Sequence, residues 1–256
     1  MPKIARKKPA AKAGKVTDSN DFYREFAKNF NLSFKVSCEY DIQGRHREML
    51  SKALDATTKM LVVDGPAGTG KTFLAVLAAL TKLSKKEGDQ IVYIRSLAES
   101  ASKGIGALPG EVDEKFKPWS MPLIEKLNEI TDKDTINKLF SEHYIHCIPV
   151  NFVRGLTFKD SVVIIDEAQN LTYNELKTIL TRFGVRSQYF VVGDFTQSDI
   201  NGKSGFKHIY NAFNNEESKL NNFYTIQFTK EDIVRSEELE FIVGQLEKVE
   251  KTMKKD

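Results

Sequence analysis

Cysteine is almost absent: Cys38 and Cys147 stand far apart in 256 residues and outside any C-x-x-C pair. They support neither a disulfide framework nor a thiolate metal site, and reduced, buried thiols are the expected state. Long apolar runs are missing too. The longest, Thr72 to Leu80, falls well short of the ~20 residues that cross a bilayer, and no signal-peptide core follows the N-terminus. A soluble, cytoplasmic protein without a membrane partner is expected. Strong charge of one sign is also lacking, because 38 Lys and Arg face 35 Asp and Glu for a formal net charge of +3. The total charge by itself does not announce a nucleic-acid partner. What remains is an ordinary globular composition, 41% hydrophobic and 29% charged, enough for one large domain with appendages.

The first 18 residues are rich in Ala, Lys and Pro, with Lys3, Arg6, Lys7, Lys8, Lys12 and Lys15 and no acid before Asp18. Such a segment buries too little apolar area to offset its ordering entropy, so residues 1–18 read as a disordered basic tail. A solvated tail, a phosphate-contacting arm and a cleaved transit peptide are the readings open to it. Phe22, Tyr23, Phe26, Phe30 and Phe34 then recur at helical spacing, a stripe for packing an N-terminal helical extension on the main body. A helix follows from His46, Met49, Leu50, Ala53 and Leu54.

Residues 60–72 are a short apolar run, a glycine-rich turn, then lysine and threonine at the head of a helix. Gly65-Pro66-Ala67-Gly68-Thr69-Gly70-Lys71-Thr72 has the G-x-x-x-x-G-K-[ST] spacing of a phosphate loop. Its glycines let successive N–H groups converge on a phosphate, Lys71 would neutralise the β- and γ-phosphates, and the Thr72 hydroxyl would take one Mg²⁺ position. The helix from about Gly70 to Leu83 adds its positive dipole end.

A second apolar strand, Ser161 to Ile165, delivers Asp166 and Glu167 to its carboxyl end, where open α/β sheets bind ligands. Asp166 can hold the Mg²⁺ shell, and Glu167 can orient or deprotonate the water that attacks the γ-phosphorus. Thr172 and Glu175 have capping-box spacing for a helix with Leu176, Ile179, Leu180 and Phe183 inward, Arg182 in its last turn and Gly184 closing it. Further strands are expected at Ile91–Ile94, Tyr144–Ile148, Gln188–Val192 and Phe223–Phe228, and Ser120 reads as the cap of a helix through Ile130. His143 and His146 read as strand residues pointing to opposite faces rather than as metal ligands. Gly193-Asp194-Phe195-Thr196-Gln197 is a polar cluster at a strand end, placed to sense a γ-phosphate. A C-terminal helix carries Leu239, Ile242, Val243, Leu246, Val249 and Met253.

These stretches, with Leu108-Pro109-Gly110-Glu111, Arg154 to Phe158, Thr181 to Gly184 and Asp232-Ile233-Val234-Arg235, together resemble the PhoH-like ATPases over roughly residues 40–245. The resemblance implies an α/β fold: a RecA-like P-loop NTPase similar to the first motor domain of superfamily 1 helicases, mostly parallel, with helices on both faces and filling residues 19–256. It implies that Gln43 reads adenine and that Gln169 and Gln197 couple the γ-phosphate to a nucleic-acid side. It also implies hexameric rings in which Arg182 or Arg235 reaches a neighbour's nucleotide. The stretch Ala98 to Lys103 departs from the family, which commonly has an acidic, glycine-containing segment there. No nuclease domain is recognisable, and the compact form with its basic tail resembles bacteriophage versions, for which the location would be the host cytoplasm.

The expected function is an ATP hydrolase using Mg²⁺ and coupled to single-stranded RNA or DNA, with helicase-like movement as one outcome. A nucleotide-gated assembly protein that never grips nucleic acid is the alternative. A P-loop kinase ranks below both, since Glu167 and Gln169 suit an attacking water.

Overall fold

The computed structural model describes residues 38, 40, 42–85, 87–96, 112–200, 202–234, 241–242 and 244–245, without the side chains of 112–119. The basic tail, the aromatic stripe at 22–34, the Leu108 motif and Arg235 lie outside the described residues. Of the expected C-terminal helix only Phe241, Ile242, Gly244 and Gln245 are described, all four helical.

Six strands form one sheet in the order β3-β2-β4-β5-β1-β6. They are β1 (Met60–Asp64), β2 (Gln90–Arg95), β3 (Ile145–Pro149), β4 (Ser161–Asp166), β5 (Gln188–Gly193) and β6 (Phe223–Gln227). Every pairing is parallel. The helices are α1 (Gly44–Leu54), α2 (Lys71–Ser84), α3 (Val112–Ile130), α4 (Lys133–Ser141), α5 (Tyr173–Leu180), α6 (Phe206–Phe213) and α7 (Glu216–Leu220).

Strands β1, β4 and β5 are buried along their whole length, as continuous apolar runs in a doubly covered parallel sheet must be. Alternation divides their side chains between two cores. Leu61, Val63, Tyr93, Ile164, Phe190 and Val192 pack with α1 to α4 on one face. Met60, Val62, Val92, Ile165, Tyr189 and Val191 pack with α5 and α6 on the other. This is a P-loop NTPase fold with helices on both faces.

Strand β5 lies between β1 and β4. The phosphate-loop strand and the Asp166 strand are therefore two strand spacings apart, roughly 9–10 Å, and a group reaching from α2 must close the gap.

The structure corrects several local expectations. Ser120 is inside α3 and buried, eight residues beyond its start; packing of Leu123, Leu127 and Ile130 outweighs the cost of Pro118 and Pro122 in the helix interior. Helix α5 ends at Leu180, so Arg182 lies in the turn beyond it. That turn is fixed by Phe158 N–H donating to Arg182 O at 3.0 Å, and Gly184 sits where a Cβ would strike Phe158 O. His143 precedes β3 in a left-handed turn (φ 61°), and its ring stacks on that of His146 at 6.2 Å instead of pointing away. Helices α6 and α7 were not expected, because α7 buries nothing and the two are only eight and five residues long.

The Thr172 capping box is present in both directions. Thr172→Ala is expected to lower unfolding stability by about 1 kcal/mol while Thr172→Ser is neutral, read as midpoint shifts in urea. Equal midpoints for all three proteins would contradict the capping role.

Candidate nucleotide site

Helix α2 begins immediately after Gly70, whose left-handed backbone (φ 72°) turns the chain into it. Gly65 serves a close approach: a Cβ there would lie 2.5 Å from Phe228 Cβ. The loop leads into a cavity of about 390 Å³ at the carboxyl edge of the sheet, within the usual range for ligand pockets. Ala67, Gly68, Gly70, Lys71 and Thr72 line it, with Asp166, Glu167, Gln169, Asp194 and Gln197 from β4 and β5. Gly65, Pro66 and Thr69 lie behind them, holding Lys71: Nζ donates to Gly65 O at 2.6 Å, Pro66 O at 2.8 Å and Thr69 Oγ1 at 3.2 Å.

Burial pushes the Lys71 ammonium below its usual range, against the opposing pull of Asp194, Asp64, Glu167 and Asp166. Burial likewise raises Asp64, although it accepts from Phe195 N–H at 2.9 Å and Gln227 Nε2 at 3.0 Å.

The gap between β1 and β4 is closed by Thr72, whose Oγ1 donates to Asp166 Oδ1 at 2.8 Å. Tyr93, from β2, donates to Asp166 Oδ2 at 2.5 Å, and its burial keeps that phenol protonated. Glu167 is left-handed (φ 51°), a cost of roughly 1–2 kcal/mol for a residue with a Cβ. Gln169 donates to Glu167 and accepts from Asp194 N–H at 3.1 Å, linking β4 to β5. Asp194 Oδ1 is taken by Thr196, while the buried Oδ2 has no hydrogen-bond partner among the described residues.

These are hard oxygen donors. No cluster of three or more His, Cys, Asp or Glu able to hold a metal occurs among the described residues. The Thr72 hydroxyl and the Asp166 carboxylate, as hard oxygen donors, fit Mg²⁺, which takes one or two protein oxygens and completes its shell with phosphate and water. Thr72 and Asp166 are the residues that would hold it.

The other end of the cavity is formed by Tyr40, Ile42, His46, Phe73, Lys126 and Val234. His46 Nε2 hydrogen-bonds Thr69 O at 3.1 Å, and Val234 N–H donates to Gly68 O at 2.9 Å. Arg45 pairs with Asp232 at 2.9 Å, fastening the 228–234 segment beside the phosphate loop.

Gln43 is exposed at the start of α1 and outside the cavity lining, next to Ile42, which lines it. Arg182 is absent from the lining too; it lies near the start of β5, at the opposite sheet edge from the cavity. Lys71, Thr72, Asp166, Glu167 and Gln197 are brought together as expected. Sequence reasoning missed Tyr93, Arg95, Asp64 and His46. A tyrosine and an arginine near the carboxyl end of an apolar strand were the signal for the first two.

The family profile described as PhoH-like protein matches residues 41–247. This chain belongs to the PhoH-like family. Among curated relatives, the PhoH-like protein of Mycobacterium tuberculosis (strain ATCC 25618 / H37Rv) is 36% identical over 185 residues, 72% of this chain and 51% of that protein. The PhoH-like protein of Synechocystis sp. is 41% identical over 136 residues, covering 53% and 41%. Protein PhoH of Escherichia coli K12 is 32% identical over 197 residues, covering 72% and 52%. This PhoH-like chain thus spans about half the length of those relatives. A solved structure of FlhF complexed with GMPPNP/Mg(2+) aligns at 17% identity over 75% of this chain and 78% of that one, with a TM-score of 0.19, too loose a superposition to carry an argument. Among the described residues no helix is long and apolar enough to cross a membrane.

If Lys71 binds phosphate, losing its ammonium would remove charge-assisted hydrogen bonds. Lys71→Ala should weaken ATP binding by about 10- to 100-fold in calorimetric titration and AMP binding much less. An equal loss for both would place Lys71 away from the terminal phosphates.

Proposed function

We propose that this protein is an Mg²⁺-dependent ATP hydrolase whose turnover is coupled to single-stranded nucleic acid, RNA in the first place. The observation that carries the reading is the convergence on one cavity of Lys71, the Thr72–Asp166 hydrogen bond, and the group Glu167, Gln169 and Gln197. A site for binding alone would need the first two; a carboxylate and two amides beside the terminal phosphate position suit an attacking water. Bound Mg²⁺ would supply charge stabilisation to the phosphates. The chain's own residues do the rest: Lys71 binds, Glu167 orients the water and accepts its proton, and Gln197 detects the γ-phosphate. Gln43, one residue from the cavity wall, is the proposed adenine reader.

Residues 19–256 are taken as a single RecA-like unit, acting in the cytoplasm, or in a host's cytoplasm if the source is a phage. A trans arginine is proposed from a ring, most simply a hexamer, as the resemblance to the family implies. Arg182 lies outside the lining of its own cavity, which suits action on a neighbour; Arg235 is the other candidate.

ATPase rates titrated with defined RNA and DNA oligonucleotides test the proposal. Stimulation supports a nucleic-acid-coupled enzyme; a rate indifferent to both favours the nucleotide-gated assembly protein. Glu167→Gln should bind ATP normally yet lose about 10²- to 10⁴-fold in kcat, and retained turnover would remove Glu167 from its role. An arginine finger is worth about 10³- to 10⁵-fold. Light scattering with ATP and Mg²⁺ is accordingly expected to show an oligomer, and full activity in a strict monomer would overturn the ring.

A further inference from the structure

Glu167 is engaged from two sides. Its Oε2 accepts from Gln169 Nε2, and its Oε1 faces Arg95 Nη2 across 3.6 Å. Arg95 ends β2 directly beside Asp166 in the register of β4. Glu167 lines the cavity and Arg95 does not, so the carboxylate stands between the reacting space and a guanidinium outside it. To polarise a water, a carboxylate must aim a free oxygen at it. Here each oxygen already faces one donor, so a water must compete with it for the carboxylate's remaining lone pairs.

The two partners differ in how firmly they hold. Gln169 is buried and fixed by Asp194 N–H, whereas the Arg95 side chain is 29% exposed and that of Glu167 40%. At 3.6 Å the arginine contact is an ion pair longer than a hydrogen bond, and exposed pairs of this kind are weak and easily exchanged. A partly exposed guanidinium at the carboxyl end of its strand is also the side chain best shaped to bind a phosphate oxyanion in two-pronged fashion.

We propose that Arg95 restrains Glu167 from the attacking water, and that a phosphodiester of bound single-stranded nucleic acid releases it by drawing the guanidinium away. Arg95 is then a positioning residue, acting on the nucleotide only through Glu167. The proposal rests on the nucleic-acid-coupled reading above and names the group through which that coupling passes.

Steady-state ATPase of the full chain, with and without single-stranded RNA or DNA oligonucleotides, is compared for the wild type, Arg95→Ala and Arg95→Lys. Arg95→Ala is expected to raise kcat without oligonucleotide by about three- to fivefold, the worth of an exposed ion pair. KM for ATP should be unchanged and the stimulation ratio should fall toward one. Arg95→Lys, which keeps the charge, should restore most of the restraint. The RNA and DNA arms identify which phosphodiester is effective. A stimulated wild type matched by an equally stimulated Arg95→Ala, or an Arg95→Ala rate that is unchanged or lower without oligonucleotide, overturns the proposal alone. A wild-type rate indifferent to both oligonucleotides removes the underlying reading and this proposal with it.

Discussion

One buried ammonium sets the terms for the rest of the site. Lys71 is 8% exposed, donates to three loop oxygens and sits within reach of the fields of four carboxylates. A lone charge there would cost several kcal/mol, so the surroundings are built to compensate it. Gly65 and Pro66 can present their carbonyls inward only because the loop bends through Gly68 and Gly70. The carboxylates in turn need partners, and find them in Thr72, Tyr93, Phe195 N–H and Gln227. The arrangement is a polar network satisfied except at the buried Asp194 Oδ2, which has no hydrogen-bond partner among the described residues.

Interposing β5 between β1 and β4 is what gives that network its reach. With β1 and β4 as neighbours, Asp166 would crowd Asp64 at the sheet edge. With β5 between them, the Gly193–Asp194 turn enters the space, and Asp194 N–H meets Gln169 Oε1. Ser198 Oγ donating to Gln169 O at 3.2 Å and Asp199 N–H donating to Asn170 Oδ1 at 2.9 Å add to that link, so the turns after β4 and β5 are tied at several points.

Much of this could be read from sequence because the decisive features are local. A glycine turn before a lysine, an apolar strand ending in Asp166-Glu167 and a Thr172–Glu175 box each specify their own geometry within a few residues. What escaped was set by pairing across the sheet. Tyr93 matters because β2 happens to lie beside β4, and nothing in the stretch around Tyr93 encodes that neighbour. His143 and His146 failed for the complementary reason: a strand-wide alternation was applied to a residue already in the preceding turn. Ser120 was misplaced because two prolines mark a helix boundary locally while tertiary packing carries the helix through them.

The C-terminal side of the domain shows how the cavity is tied to the chain beyond the sheet. Phe228 N–H donates to Asp64 O at 2.8 Å, and Phe228 packs against the His46 ring at 5.0 Å. Thr229 and Asp232 then close a second capping box, which Arg45 of α1 clamps. The chain arrives at Val234, hydrogen-bonded to Gly68 of the phosphate loop. A shift of the loop on gaining phosphate must therefore move the 228–234 segment or break the Val234–Gly68 bond.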